Sequence, residues 1–272
     1  MKRSTRREIA KDTLKILKQG YYLNEQGKTI GIKARQKFST QHTQFFKGEE
    51  LEEMFSGLGP EQPFKTTFEV TGESTISAVL RLQAEDEDPL TLNFASAKNP
   101  GGGFLNGSVA QEESLARSSG LYSCQLKGEK YYAIHRNTKT PFYTDNMIYS
   151  PKVAVFKNDD GEFLEDLAFT SFITSPAVNA GVIKREEPEH LDKVEAAMKG
   201  RIKKVLTLAY SKGHKTLILG AWGCGVFEND PASMAKWFHE VFQNEFAGKF
   251  KKVVFAIYSK EEVFIQPFRD LF

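Results

Sequence analysis

Residues 92–119 leave the chain few ways to fold. Thr91, Leu92, Phe94 and Ala95 form a short apolar run with strand-forming residues, and Pro100 followed by Gly101, Gly102 and Gly103 must stop it. From Val109 the composition turns to helix formers, so the stretch reads as strand, glycine loop and helix. Three consecutive glycines are costly in backbone entropy. An ordered loop that keeps them needs positive φ angles or a close approach of main chain to a ligand. A glycine turn feeding a helix N-terminus points backbone N–H groups and the positive end of the helix dipole at one spot, where a phosphate fits.

The helix opens with Gln111, Glu112 and Glu113. Two adjacent carboxylates repel a diphosphate, so they are expected to face another part of the ligand, such as sugar hydroxyls or a glycosidic bond. Successive helical residues diverge by about 100°. Glu112 and Glu113 therefore cannot flank one bond from opposite sides as a glycosidase pair does. One acid and one holder are expected, and sequence physics does not choose between them. Asn93 and Asn99 flank the loop; either can hold ligand hydroxyls or shape the turn, and Asn99, nearer the glycines, is the favoured contact.

Elsewhere the pattern alternates strands and helices. Residues 5–19 read as an amphipathic helix stopped by Gly20, residues 21–23 and 29–32 as a hairpin, and 47–55 as a short helix. The core begins with a strand at 66–70, a helix capped by Ser74 or Thr75, and the organising strand from Leu90. This βαβ unit calls for a sheet with ligand chemistry outside the carboxyl ends of its strands. Residues 127–147 read as a long surface loop, 147–149 and 152–156 as strands around Pro151, 168–174 as a buried strand, and 187–212 as the longest helix. The buried strand 216–219 runs into Gly220-Ala221-Trp222-Gly223-Cys224-Gly225-Val226-Phe227, a second glycine loop leading to a helix at 231–246, and 252–259 is a last strand. Two such loops can converge on a diphosphate. Cys224 reads as small filler, because no histidine is placed to activate it.

The 272 residues carry 37 basic and 35 acidic side chains, a net charge of +2 that gives no electrostatic case for direct nucleic-acid binding. Arg3, Arg6 and Arg7 read as a solvated helix face. No stretch approaches a membrane span, the N-terminus lacks the apolar region of a secretory signal, and Cys124 and Cys224 fit reduced thiols, so a cytoplasmic protein is expected; a monomer is expected too, although no residue pattern decides oligomeric state. The five histidines form no ligand pair, so neither a metal nor another cofactor is expected.

Gly101-Gly102-Gly103, seven residues, then Gln111-Glu112-Glu113 resembles the motif of the poly(ADP-ribose) glycohydrolases, and the wording from Asn93 to Ser119 is similar to their compact bacterial type. The resemblance covers the chain from about Thr66. It implies a macrodomain-like three-layer α/β/α sandwich with a mixed central sheet, residues 61–272, preceded by a mostly helical N-terminal extension, residues 1–60, packed on the core near the ligand. It implies hydrolysis of ribose–ribose O-glycosidic bonds in poly(ADP-ribose) on modified proteins, releasing ADP-ribose. Glu113 becomes the general acid/base, Glu112 the ribose holder, and Asn99, Gly101, Gly102, Gly103, Gln111, Gly223, Gly225, Val226 and Phe227 the ligand contacts, with Phe227 orienting the distal ribose. The alternatives are a hydrolase of mono-ADP-ribosyl or acyl-ADP-ribose linkages and a non-catalytic ADP-ribose-binding macrodomain, which has no need of Glu113.

Overall fold

The structure is a computed structural model that describes residues 1–272. In chain order its elements are α1 (Arg3–Gln19), β1 (Tyr21–Leu23), β2 (Thr29–Gly31), α2 (Lys33–Gln41), β3 (Gln44–Phe46), α3 (Gly48–Ser56), β4 (Thr67–Thr71), α4 (Thr75–Ala84), β5 (Pro89–Phe94) and α5 (Gln111–Ser118). They continue with α6 (Leu121–Gln125), α7 (Glu129–Asn137), β6 (Met147–Lys157), β7 (Phe163–Ser175), α8 (Ala180–Glu186), α9 (Val194–Ser211), β8 (Thr216–Leu219), α10 (Pro231–Asn244), β9 (Lys252–Ala256) and α11 (Glu262–Leu271).

A mixed seven-stranded sheet runs β3-β6-β7-β5-β8-β9-β4, and its five strands from β7 to β4 are parallel. Strand alternation sorts side chains to two faces. Leu90, Leu92, Leu217, Leu219, Val253 and Phe255 join the larger core with Met198, Ile202 and Val205 of α9 and Phe238 and Phe242 of α10. Ile218, Val254, Val153 and Val155 pack on the other face with Ile76 and Val79 of α4 and Leu115 of α5. Helices on both faces of one mixed sheet make the expected three-layer α/β/α sandwich.

Most apolar runs fold as read. Ser74 is the cap of α4, its hydroxyl accepting from the Ser77 N–H at 3.0 Å. Asp230 caps α10 in the same way at 2.8 Å, just before Pro231, an arrangement worth about 1 kcal/mol. Three readings are corrected. Residues 127–147 are not a draped loop: α7 buries Tyr131, Tyr132 and His135. The stretch 187–212 divides into a 3₁₀ turn, Pro188–Lys193, and α9, with Leu191 exposed, because Pro188 opens a tighter turn before the apolar stripe begins. The strands read at 147–149 and 152–156 are one, β6, whose pairing with β7 shifts register between Ser150 and Val153, where Pro151 has no N–H to donate.

The first sixty residues do more than pack. β3 pairs antiparallel with β6, Phe45 opposite Ile148, and so supplies one edge of the central sheet. α1 lies against α5 through Ala10, Phe104 and Ala116. The Thr13 hydroxyl donates to the Arg117 carbonyl at 2.5 Å, and the buried Lys157 ammonium meets Asp12 at 2.8 Å. No helix is long and apolar enough to cross a membrane.

Candidate active site

β5 and β8 are parallel neighbours, Leu90 opposite Leu217, so the two glycine loops that follow them emerge side by side at the carboxyl end of the sheet. The first loop is tightly packed. Gly101 and Gly102 have φ of +66° and +56°, in the region that favours glycine. A Cβ on Gly102 would lie 2.5 Å from Glu113 Oε1 and 3.1 Å from Glu112 Oε2. The loop closes through a 3₁₀ turn, Phe104–Asn106, and Gly107 before α5 begins.

The two glutamates stand in different surroundings. Glu112 is buried, and both its oxygens are engaged: Oε1 accepts from Asn93 Nδ2 at 3.2 Å and Gln125 Nε2 at 2.6 Å, and Oε2 from the Ser96 N–H at 2.7 Å. Burial pushes the Glu112 carboxyl up to about 8 against the pull of these donors, and the nearby Glu113 charge adds to the rise. Glu113, 9% exposed, accepts only the Gly103 N–H, at 2.9 Å to Oε1. Its Oε2 has no partner in the protein.

Gln111 braces the site. Its Oε1 accepts from the Phe94 N–H at 2.8 Å, and its Nε2 donates to the Leu92 carbonyl at 2.8 Å and the Thr75 hydroxyl at 3.3 Å. These bonds fasten the start of α5 to β5 and α4. Asn99 is exposed on the loop, whereas Asn93 is fully buried on the α5 side of β5. The amide that sequence reasoning ranked second is therefore the one that touches a glutamate.

In the second loop, Gly223 has φ +74° and sits against Ala177 and Asn229, where a Cβ would come within 2.6 Å of both. Gly225 has no heavy atom within 4 Å of a would-be Cβ, and Val226 is 81% exposed. Phe227 is half-buried, its ring centroid 5.9 Å from that of Tyr143. Tyr143 itself holds φ +56°, uncommon for a residue with a Cβ. Its loop is pinned by the buried Arg201 of α9, which donates from Nε to Asp145 at 2.8 Å and from its terminal nitrogens to the Phe142 and Pro176 carbonyls. Burial works to raise the Asp145 carboxyl, but Arg201 and Lys204 hold it below the usual carboxylate range. Gln125, Tyr143 and Arg201 were not found in the sequence. Gln125 lies among polar and apolar residues of a five-residue helix, and only its reach across space to Glu112 marks it out.

Neighbouring glycine loops at strand ends, with paired acids opening a helix beneath one of them, define a macrodomain-like α/β/α hydrolase. The family described as microbial-type PARG, catalytic domain, matches residues 10–158. A search of the curated proteins finds no match. Among solved structures, the poly(ADP-ribose) glycohydrolase of Thermomonospora curvata is similar at 40% identity and a TM-score of 0.95, over 99% of this chain and 100% of that one. The same protein bound to the inhibitor ADP-HPD gives 39% and 0.93, over 99% of this chain and 100% of that one. The glycohydrolase of Deinococcus radiodurans in complex with ADP-ribose matches at 41% identity and 0.83, over 86% of this chain and 96% of that one. The chain belongs to the microbial-type poly(ADP-ribose) glycohydrolase family, enzymes that hydrolyse glycosidic bonds.

Proposed function

We propose that Glu113 is the general acid/base with which this chain performs its family's reaction, hydrolysis of ribose–ribose O-glycosidic bonds in poly(ADP-ribose) with release of ADP-ribose. The observation that carries the assignment is the unequal engagement of two neighbouring carboxylates: Glu112 is buried with both oxygens bonded, while Glu113 keeps Oε2 free. In this reading Glu113 donates its proton to the departing ribose oxygen as the glycosidic C–O bond breaks and positive charge develops at the anomeric carbon. The resulting carboxylate then takes a proton from the water that attacks that carbon, restoring the acid. General acid–base help of this kind is worth about 10²- to 10⁴-fold, and the diphosphate of the bound unit has the sign to stabilise the cation.

Glu112 is proposed as the ribose holder: its Oε2 has one protein donor and so retains a lone pair for a ribose hydroxyl. The diphosphate is proposed to lie between Gly101–Gly103 and the open Gly225–Val226 segment, with Phe227, backed by Tyr143, against the distal ribose. Asn99 takes the loop-side hydroxyl contact. Gln111 contributes through its bracing bonds. Residues 1–60 are proposed as an extension to a macrodomain-like unit, residues 61–272, and the chain as a monomeric cytoplasmic enzyme acting on polymer attached to modified proteins. The test is release of ADP-ribose from poly(ADP-ribosyl)ated protein by the wild type and Glu113→Gln, with ADP-ribose affinity of both by calorimetry. Cleavage by the wild type, with binding but no cleavage by the variant, supports the assignment. A variant that still cleaves at the wild-type rate removes Glu113 from the role.

A further inference from the structure

The arginines of α1 are not a merely solvated face. Arg3 Nε donates to the Asn106 carbonyl at 2.9 Å and Arg6 Nε to the Gly107 carbonyl at 2.8 Å. The Arg3 and Arg7 stems lie against Gly107, where a Cβ would come within 3.1 Å of both Cγ atoms. This cluster thus sits on the 105–109 segment, which joins Gly103, the donor to Glu113, to the helix that carries Glu113. The 3₁₀ turn between Gly103 and Gly107 advances only about 2 Å per residue, so the Asn106 and Gly107 carbonyls that Arg3 and Arg6 hold lie within roughly 10 Å of the loop that holds the acid.

The cluster has no counter-charge. Arg3, Arg6 and Arg7 have no carboxylate within 4.0 Å, as is also true of Arg35, Arg117 and Arg136, but only on α1 do three such arginines lie within five residues, whereas Arg81, Arg185, Arg201 and Arg269 are paired. The Arg7 guanidinium has no hydrogen-bond partner at all, and Arg3 spends only Nε on the loop, so terminal N–H groups of both remain to be used. Leu105 and Val109, 43% and 67% exposed, add an apolar edge to the same rim.

In the cleavage proposed above, the oxygen that Glu113 protonates belongs to the adjoining polymer unit, which must extend outward past Glu113 carrying a purine and a diphosphate. We infer that Arg3 and Arg7, with Leu105 and Val109, form a subsite for this leaving unit, the guanidiniums taking its diphosphate and the apolar rim its base. Planar forks of N–H donors suit phosphate oxygens. The inference rests on the glycohydrolase reading. It separates two functions of the site: the glycine loops hold the unit that is released, and α1 holds the one that stays on the chain.

Arg7→Glu tests it, because the substitution keeps the Cβ and Cγ that face Gly107 and breaks no hydrogen bond of the loop. Polymer kcat/KM at low salt is expected to fall roughly tenfold, about 1.4 kcal/mol, with the difference shrinking as added salt screens the exposed charge. ADP-ribose affinity is expected to stay at the wild-type value, and Arg7→Lys to recover most of the loss. Unchanged kcat/KM at low salt, or an equal loss of ADP-ribose affinity, overturns the subsite. Polymer binding by fluorescence polarisation in the Glu113→Gln background reads the same grip with no cleavage. An enzyme that releases no ADP-ribose would therefore sink the assigned reaction, and the binding arm would still decide the subsite. If an RNA of matched charge binds as tightly as the polymer and loses the same affinity in Arg7→Glu, the patch is a general polyanion site and the inference fails.

Discussion

The two glycine loops have similar composition and leave neighbouring strands, but their glycines are required for different reasons. In the first, the space a side chain would need is taken by the protein: Gly102 is pressed against the Glu113 carboxylate, and Gly103 against Ser108. In the second, Gly223 is enclosed by Ala177 and Asn229, while Gly225 faces open space. A glycine run therefore does not by itself report a ligand. The first loop sets the position of an acid; the tip of the second leaves a backbone bare for something to approach.

The largest effect is expected where that difference meets chemistry. Glu113→Gln should lower polymer cleavage by about 10²- to 10⁴-fold while ADP-ribose still binds, as single-turnover kinetics and calorimetry together would read. Next comes Gly102→Ala. A methyl group there collides with Glu113 Oε1 on a backbone with φ +56°, and a displacement of the acid by even 1 Å can cost about 10²-fold in kcat. If Gly102→Ala retains wild-type kcat, the first loop does not position Glu113 and the contrast collapses.

The second loop should respond in two separable ways. Gly223→Ala meets Ala177 and Asn229 and is expected to cost about 1–3 kcal/mol of stability, seen as a lowered melting temperature. Gly225→Ala is expected to leave stability within about 0.5 kcal/mol yet weaken ADP-ribose binding about tenfold, by crowding the ligand. A Gly225→Ala protein that binds normally would mean that this tip does not approach the ligand.

The last effect concerns the buried glutamate and is read through pH. With a folded pKa of about 8 against an ordinary value of 4.5, the Glu112 carboxyl contributes stability that is intact below about pH 4.5 and is lost as pH rises towards 8. The lost stability follows a slope of up to about 1.4 kcal/mol per pH unit. Denaturant midpoints measured across this range should show that slope in the wild type and lack it in Glu112→Gln. Parallel curves would place the ionisation elsewhere.

Much of this was legible in the sequence, and the parts that were not have physical reasons. β8 is a short, largely apolar run ended by Gly220, β5 alternates Leu90, Leu92 and Phe94 before a glycine loop, and the helices around them carry clear stripes, so the parallel part of the sheet could be read directly. α7 was lost because its buried face is made of Tyr131, Tyr132 and His135, residues that read equally well as loop or surface. β3 is three residues long and draws its identity from pairing with β6. At the site, adjacency in sequence exposed the glycines and the acids. Their discrimination depends on Asn93 and Gln125, respectively nineteen residues before and thirteen residues after Glu112, which only the folded chain brings to it. The arginines of α1 were visible as a basic cluster, but their hold on Asn106 and Gly107, about a hundred residues away, was not.

β3 has one more consequence. β6 is eleven residues long, and its outer side is closed first by β3 at Met147–Tyr149 and then by Ser119 and Gly120, which pair with Val155 and Ala154. A chain begun after residue 60 would keep both glutamates and both glycine loops but bare the first part of that margin. Unpaired N–H and C=O groups on a long apolar strand recruit strands from other molecules. The first sixty residues thus protect the molecule's solubility, and a trimmed protein would be expected to fail by self-association before it failed by loss of its catalytic groups.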